Sequence, residues 1–275
     1  MKTKLLIIFI IAFSCKTYAQ GDLLVTPSRV VFEGSTQKEV LNLVNMGKET
    51  ATYSVSFVQR SMKEDGSFIE IAEPELGQNF ADPYLRIFPR QVTLAPQEAQ
   101  TIVLQYRRKP DMRPGEYRSH LYFRSEKNYT ARGDLKADKD SKTLSVELIP
   151  IFGMSIPVII RTGETEVTAS LTDLQLELKD QTKQNLSFNI NRLGNISLYG
   201  DIRVQFIPEK GKAFEVAAVN GVGVYTTINS RKMTLSLDSN TGQLLKKGKL
   251  QVTYRSHDEA KAVVYAATDL LIENL

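Results

Sequence analysis

Side chains that could do chemistry are few and widely separated in this chain of 275 residues. It contains two histidines, His120 and His257, and one cysteine, Cys15. No HExxH, P-loop, GxSxG or GxGxxG sequence occurs. His120 lies in an alternating segment, His257 lies in a turn, and no two carboxylates are paired as in a glycosidase. The sequence therefore predicts a protein that is not an enzyme, with no cofactor and no metal site.

Residues 1–19 have the pattern of a secretory signal peptide. Met1–Lys4 is basic, and Leu5–Phe13 is apolar but too short to span a bilayer. Thr17-Tyr18-Ala19 suits a signal peptidase, so we expect cleavage after Ala19 and export of the mature chain. A cysteine directly after an apolar segment can also carry a lipid, and Cys15 leaves that alternative open.

Loss of this segment changes the charge and the cysteine content. Removal of Lys2, Lys4 and Lys16 lowers the formal net charge from +4 to about +1. A nearly neutral chain does not indicate nucleic-acid binding, which needs a clustered basic face. No later stretch is long and apolar enough for a membrane helix. Without Cys15 no disulfide is possible, so roughly 250 residues must form ordinary hydrophobic cores.

Short alternating segments separated by turn residues predict an all-β fold. Thr52–Gln59 has apolar side chains at every second position, and Asn220-Gly221 is a hairpin signal. The other predicted strands are 23–26, 30–32, 38–44, 68–71, 84–88, 101–106, 117–123, 143–161, 167–178, 186–190, 201–207, 222–227, 233–237, 250–255 and 263–272. Thr162-Gly163-Glu164 separates two groups of strands. We predict two immunoglobulin-like β-sandwich domains at an angle, at 20–161 and 162–275.

One predicted strand, Thr143–Arg161, organises the first domain. Its first half alternates like a half-buried strand, with three apolar residues on one side: Leu144, Val146 and Leu148. Since proline has no N–H for a β-ladder, Pro150 and Pro157 predict a position at a sheet edge. The charged run Ser125–Lys142 predicts a mobile loop before it. An apolar edge strand pairs with another chain unless something covers it.

Three stretches resemble the periplasmic pilus chaperones, the PapD-like family. Thr26–Gly34, with the sequence TPSRVVFEG, resembles the first strand of that family. Pro83–Pro89, PYLRIFP, resembles its P-x-x-R-[LI]-x-P segment, and Leu144–Pro157 resembles the last strand of its first domain. The resemblance covers the first domain, whereas the second matches only in size and strand content.

This resemblance implies how the chain would bind its partner. In the family, an arginine of the first strand and a lysine of the last strand hold a subunit's C-terminal carboxylate. Arg29 matches the arginine; Phe152 stands at the lysine position, so Arg86 is the candidate second cation. Ile156 stands where the family has an arginine that locks the domains together. The residues expected to fill the subunit's groove by donor-strand complementation are Leu144, Val146 and Leu148.

We therefore expect a periplasmic chaperone whose partners are pilus, fimbrial or other secreted β-rich subunits. An outer-membrane usher is a further candidate partner, and neither nucleic acid nor a membrane span is expected. The alternative is a structural or adhesive surface protein built from immunoglobulin-like domains. Co-purification separates the two classes, because a chaperone should leave the periplasm bound to a subunit.

Overall fold

A computed structural model describes residues 23–110, 112–126, 152–179, 183–238, 244–258 and 262–273. The described residues form strands, turns and one short 3-10 helix, Asp82–Tyr84, so the prediction of an all-β fold is confirmed. In this part of the chain no helix has the length and apolar character that a membrane span requires.

Two sheets pack face to face in the first part of the chain. The strands are β1 (Leu23–Thr26), β2 (Val30–Phe32), β3 (Lys38–Asn45), β4 (Ala51–Val58), β5 (Arg60–Met62), β6 (Phe68–Glu70), β7 (Leu85–Phe88), β8 (Gln91–Leu94), β9 (Ala99–Tyr106), β10 (Gly115–Glu126) and β11 (Gly153–Thr162). One sheet has the order β1-β3-β9-β7 and the other β2-β11-β10-β4-β8. Alternate residues such as Phe32, Leu104 and Phe123 fill the core between them.

The second sandwich follows a short link at residues 163–166. Its strands are β12 (Val167–Leu178), β13 (Gln184–Gly194), β14 (Leu198–Pro208), β15 (Phe214–Val224), β16 (Ser230–Leu237), β17 (Gly248–Ser256) and β18 (Val264–Ile272). The two sheets have the orders β12-β13-β16 and β15-β14-β17-β18. Phe188, Val204 and Leu250 lie in their shared core. The structure therefore confirms the prediction of two β-sandwiches.

The first strand of the chain is divided between the two sheets. β1 pairs with β3 in one sheet, whereas β2 pairs with β11 in the other. The break falls at Pro27-Ser28-Arg29, where a proline cannot donate to a ladder. Arg29 is consequently the last residue before β2 begins.

The prediction that Thr143–Arg161 is an edge strand is wrong for its C-terminal part. β11 lies between β10 and β2, and the parallel β2 register covers Val158–Ile160. β2 is only three residues long, so no described strand pairs with Gly153–Pro157 on that side. Pro157 stands directly before the covered stretch, where β11 pairs with β10 alone. An open edge therefore remains, but it is limited to the N-terminal half of β11.

Candidate binding site between the two sandwiches

Arg29 extends from the first sandwich to the second. Its Nη1 donates to the Tyr225 hydroxyl at 3.1 Å, and its Nη2 donates to Ser197 Oγ at 3.3 Å. The guanidinium carbon also lies 4.5 Å from the centroid of the Tyr199 ring. No described carboxylate forms an ion pair with Arg29. This half-buried cation is thus held by neutral groups that an anionic ligand could replace.

The second sandwich positions its three contact residues at the ends of neighbouring strands. Ser197 directly precedes β14, Tyr199 lies within it, and Tyr225 directly follows β15. Gly221 has a φ of +70°, and a Cβ there would lie 2.8 Å from the Tyr199 hydroxyl. Gly221 lies within β15 where its register with β14 shifts, and this position next to Tyr199 therefore requires glycine for both backbone and space.

A second guanidinium, that of Arg118, contacts the same tyrosine. Arg118 lies on β10 and faces away from the first core, and its Cζ is 3.9 Å from the Tyr225 ring centroid. It is only 3% exposed, and its Nη2 donates to the Arg60 carbonyl at 3.1 Å. Its Nε and Nη1 are buried with no hydrogen-bond partner. Burial lowers the pKa of Arg118, although Tyr225, Glu116 and Glu75 favour its charged form.

His120 follows on the same face of β10 and is kept neutral. Burial is the main cause, and the positive charges of Arg118, Arg60 and Arg29 add to it, so the pKa of His120 falls to about 3. The edge of the Phe68 ring packs on it, with centroids 5.4 Å apart. His120 therefore adds no charge to the site at neutral pH.

The other histidine, His257, belongs to a separate structural contact. Its Nδ1 lies 2.7 Å from Asp201 Oδ1. Burial alone would raise the pKa of Asp201, but hydrogen bonds with His257 and Gly221 outweigh it, and the pKa is lowered. Among the described residues, no group of histidine, cysteine and acidic side chains could hold a metal ion.

A buried ion pair links the sandwiches beside Arg29. Arg161 Nε donates to Glu116 Oε2 at 3.2 Å, and Arg161 Nη2 donates to the Ser197 carbonyl at 3.0 Å. The backbone N–H and hydroxyl of Ser197 donate to the same Glu116 oxygen at 2.9 and 2.7 Å. Glu33 Oε1 accepts from Arg161 Nη1 at 2.5 Å. Glu116 and Arg161, both of the first sandwich, thus bind Ser197 of the second, and the arginine of this interdomain contact is Arg161, not a residue at position 156.

Sequence reasoning missed this pair because its register on the last strand was wrong by five residues. Ile156 is buried in the first core, on the opposite face from Arg161. The β10–β11 register, which pairs Glu116 with Arg161, identifies the contact directly. The available signal was an acid directly before the predicted strand 117–123, Glu116, and an arginine at the end of the predicted strand 143–161, Arg161.

Replacing Glu116 by alanine is expected to lower the free energy of unfolding by about 3 kcal/mol, because Arg161 loses a buried partner. The Glu116 side chain is 1% exposed, whereas Glu33, the second acid on Arg161, is 54% exposed. Glu33→Ala is the matched control and should cost less than about 1 kcal/mol. Urea unfolding measures both variants, and equal losses would contradict the interdomain role of Glu116.

The structure does not bring the two predicted cations together. Arg86 is exposed on β7, in the sheet that does not contain β2, with its neighbours Leu85 and Ile87 facing the core. It therefore lies on an outer face, and its role as the second cation remains an untested prediction. Arg118, which was not a sequence candidate, is a cation without an ion pair that the fold places near Arg29.

The three predicted donor residues, Leu144, Val146 and Leu148, lie outside the described residues, as do the signal peptide and Cys15. The described part of the same segment begins at Phe152, which is 59% exposed. Phe152 has an even residue number, as have Met154 and Ile156, which contact the first core. The three predicted donors are also even-numbered, so all of them have the same position in the alternation. Its exposed ring stands where the open edge of β11 starts.

Comparisons with known proteins complete the description of the site. No protein-family model and no curated protein matches the chain. Its neighbours among solved structures are fimbrial chaperones. They include the YadV chaperone, with 9% identity and a TM-score of 0.45 over 92% of this chain and 100% of that chain. The class 5 fimbriae chaperone CfaA has 15% identity and a TM-score of 0.41 over 92% and 100%.

A third neighbour was solved with its partner. It is the SafB chaperone in complex with the SafA pilin of Salmonella enterica, with 10% identity and a TM-score of 0.42. The similarity covers 92% of this chain and 97% of that chain.

Proposed function

We propose that this protein is a periplasmic chaperone that binds pilus or fimbrial subunits by donor-strand complementation. The observation that carries the proposal is the position of Arg29 at the end of the open edge of β11. Gly153–Pro157 has no described partner on that side, and Arg29 directly precedes Val30, which lies opposite Val158. An extended segment paired with the open edge would therefore end at a guanidinium.

The charge of Arg29 favours one direction for such a segment. Val30 lies opposite Val158, so a segment whose C-terminal carboxylate lies at Arg29 would run parallel to β11, as β2 does. The opposite direction would place a terminal ammonium against the guanidinium. A terminal carboxylate there gains charge-assisted hydrogen bonds from Arg29. That contact sets the register, which matters because a slip of one residue turns every side chain to the wrong face.

Apolar side chains of the donor strand supply the rest of the affinity. Phe152 and the predicted donors Leu144, Val146 and Leu148 share one parity and would enter the open groove of a subunit together. Each large apolar side chain contributes roughly 1.5–3 kcal/mol when it is fully buried. Main-chain hydrogen bonds along β11 add affinity that does not depend on the amino-acid sequence of the subunit.

Co-purification tests the proposal. The tagged full-length protein is isolated from the periplasm, and bound proteins are identified by mass spectrometry. We expect a β-rich subunit in stoichiometric amount, and we expect its capture to be lost when extra residues displace its C-terminal carboxylate. A chain that is recovered alone, or at the cell surface, would favour the structural or adhesive alternative.

A further inference from the structure

We propose that Arg118 supplies the second positive charge of the carboxylate site at Arg29. This inference rests on the proposed function and deepens it, because it assigns a further residue that determines specificity for a free C-terminal carboxylate. Arg29 and Arg118 lie over the same Tyr225 ring, with Cζ atoms 5.6 and 3.9 Å from its centroid. Their charges therefore act on the same small region between the sandwiches.

Arg118 is a buried cation without an ion pair. No described acid lies in salt-bridge contact with it, and two of its three guanidinium nitrogens have no hydrogen-bond partner. Glu116, two residues away on the same face, directs Oε2 to Arg161 and Ser197, and its Oε1 has no hydrogen-bond partner. Because an uncompensated buried charge is costly, an anion close by stabilises the folded site.

Another buried arginine, Arg192, has a hydrogen-bond partner for each of its three guanidinium nitrogens. Arg192 donates to the backbone oxygens of Gly194, Ile196 and Ile228 and also to the Asn229 side chain. Arg118, which is at least as buried, has one carbonyl partner. A purely structural role would leave this difference unexplained, whereas a role in attracting an anion requires unneutralised charge.

Charges of both signs act on Arg118. Glu116 and Glu75 favour its charge and Arg29 opposes it, but neither acid forms an ion pair with the guanidinium. Arg118 need not touch the ligand, since charges in a site of low dielectric act over several ångströms. The expected ligand group is a carboxylate bound directly by Arg29 and attracted additionally by Arg118.

The test compares carboxylate and amide ends of one ligand. The probe is a synthetic twelve-residue peptide of alternating valine and threonine with an N-terminal fluorescein, ended either by a free carboxylate or by a carboxamide. Fluorescence anisotropy measures its affinity for the full-length protein. We expect the wild type to prefer the carboxylate form, and Arg118→Met to reduce that preference by roughly tenfold. Arg118→Lys should retain most of it.

Arg124→Met is the matched control, because Arg124 lies on the same face of β10 but is exposed and opposite Gly153. It should keep the wild-type preference. If Arg118→Met weakens both peptides equally, or keeps the preference, Arg118 is structural and the inference is overturned while the proposed function stands. If the wild type itself does not distinguish the two peptides, the role of Arg118 and the carboxylate site of the proposed function are both overturned.

Discussion

Replacing Arg29 by alanine is expected to weaken subunit binding by at least about thirtyfold, because truncating one member of a hydrogen-bonded charge pair costs about 2–5 kcal/mol. The folded protein should lose less. Arg29 is half-buried and makes two hydrogen bonds to hydroxyls, at 3.1 and 3.3 Å, longer than strong charge-assisted bonds, and water can replace the lost donor at a cost of about 1 kcal/mol each. Arg29→Ala should therefore lower the affinity for the subunit more than it lowers the free energy of unfolding.

The measurement uses the subunit that co-purifies with the wild-type protein. Its dissociation constant is determined by surface plasmon resonance for the wild type and Arg29→Ala, and urea unfolding is followed in parallel. Arg86→Ala is the control, since the structure places Arg86 on an exposed outer face. If Arg29→Ala unfolds markedly earlier yet binds normally per folded molecule, Arg29 is structural. If Arg86→Ala loses binding as well, the second cation is Arg86 after all.

A charge on the donor face is expected to remove subunit capture without unfolding the chaperone. In Phe152→Asp, an exposed ring is replaced by a carboxylate that cannot enter an apolar groove unpaired. The lost transfer free energy and the desolvation of the charge together predict a loss of affinity of at least about thirtyfold. From its parity, Val146→Asp is expected to behave in the same way.

Phe88→Asp provides the matched control. Phe88 is also an exposed phenylalanine of the first sandwich, 75% exposed on β7, but it lies in the opposite sheet from β11. A pull-down of the subunit and a thermal melting curve are recorded for all three variants. Equal binding by Phe152→Asp and Phe88→Asp would exclude Phe152 from the donor face. Early melting of Val146→Asp with retained binding would make Val146 ordinary core and favour the surface-protein alternative.

Local sequence determined the strands and the faces of their residues. A period of two is a property of the chain itself, so alternation in segments such as Thr52–Gln59 predicted β4, and the parity of Phe152 with Ile156 can be read without coordinates. The hairpin predicted at Asn220-Gly221 is wrong, because both residues lie within β15, where the register with β14 shifts. The sequence TPSRVVFEG singled out Arg29, and its role in holding a subunit carboxylate stays a prediction.

Only the tertiary structure decided which residues meet across the two sandwiches. Arg29 and Tyr225 are 196 positions apart, and Glu116 and Ser197 are 81 positions apart. No periodicity reports such contacts, since they depend on how the two sandwiches pack. For the same reason the sequence did not single out Arg118, because its contact with Tyr225 depends on how the two sandwiches pack. The covering of Val158–Ile160 by β2 likewise depends on the first strand changing sheets, and it leaves the open edge that ends at Arg29.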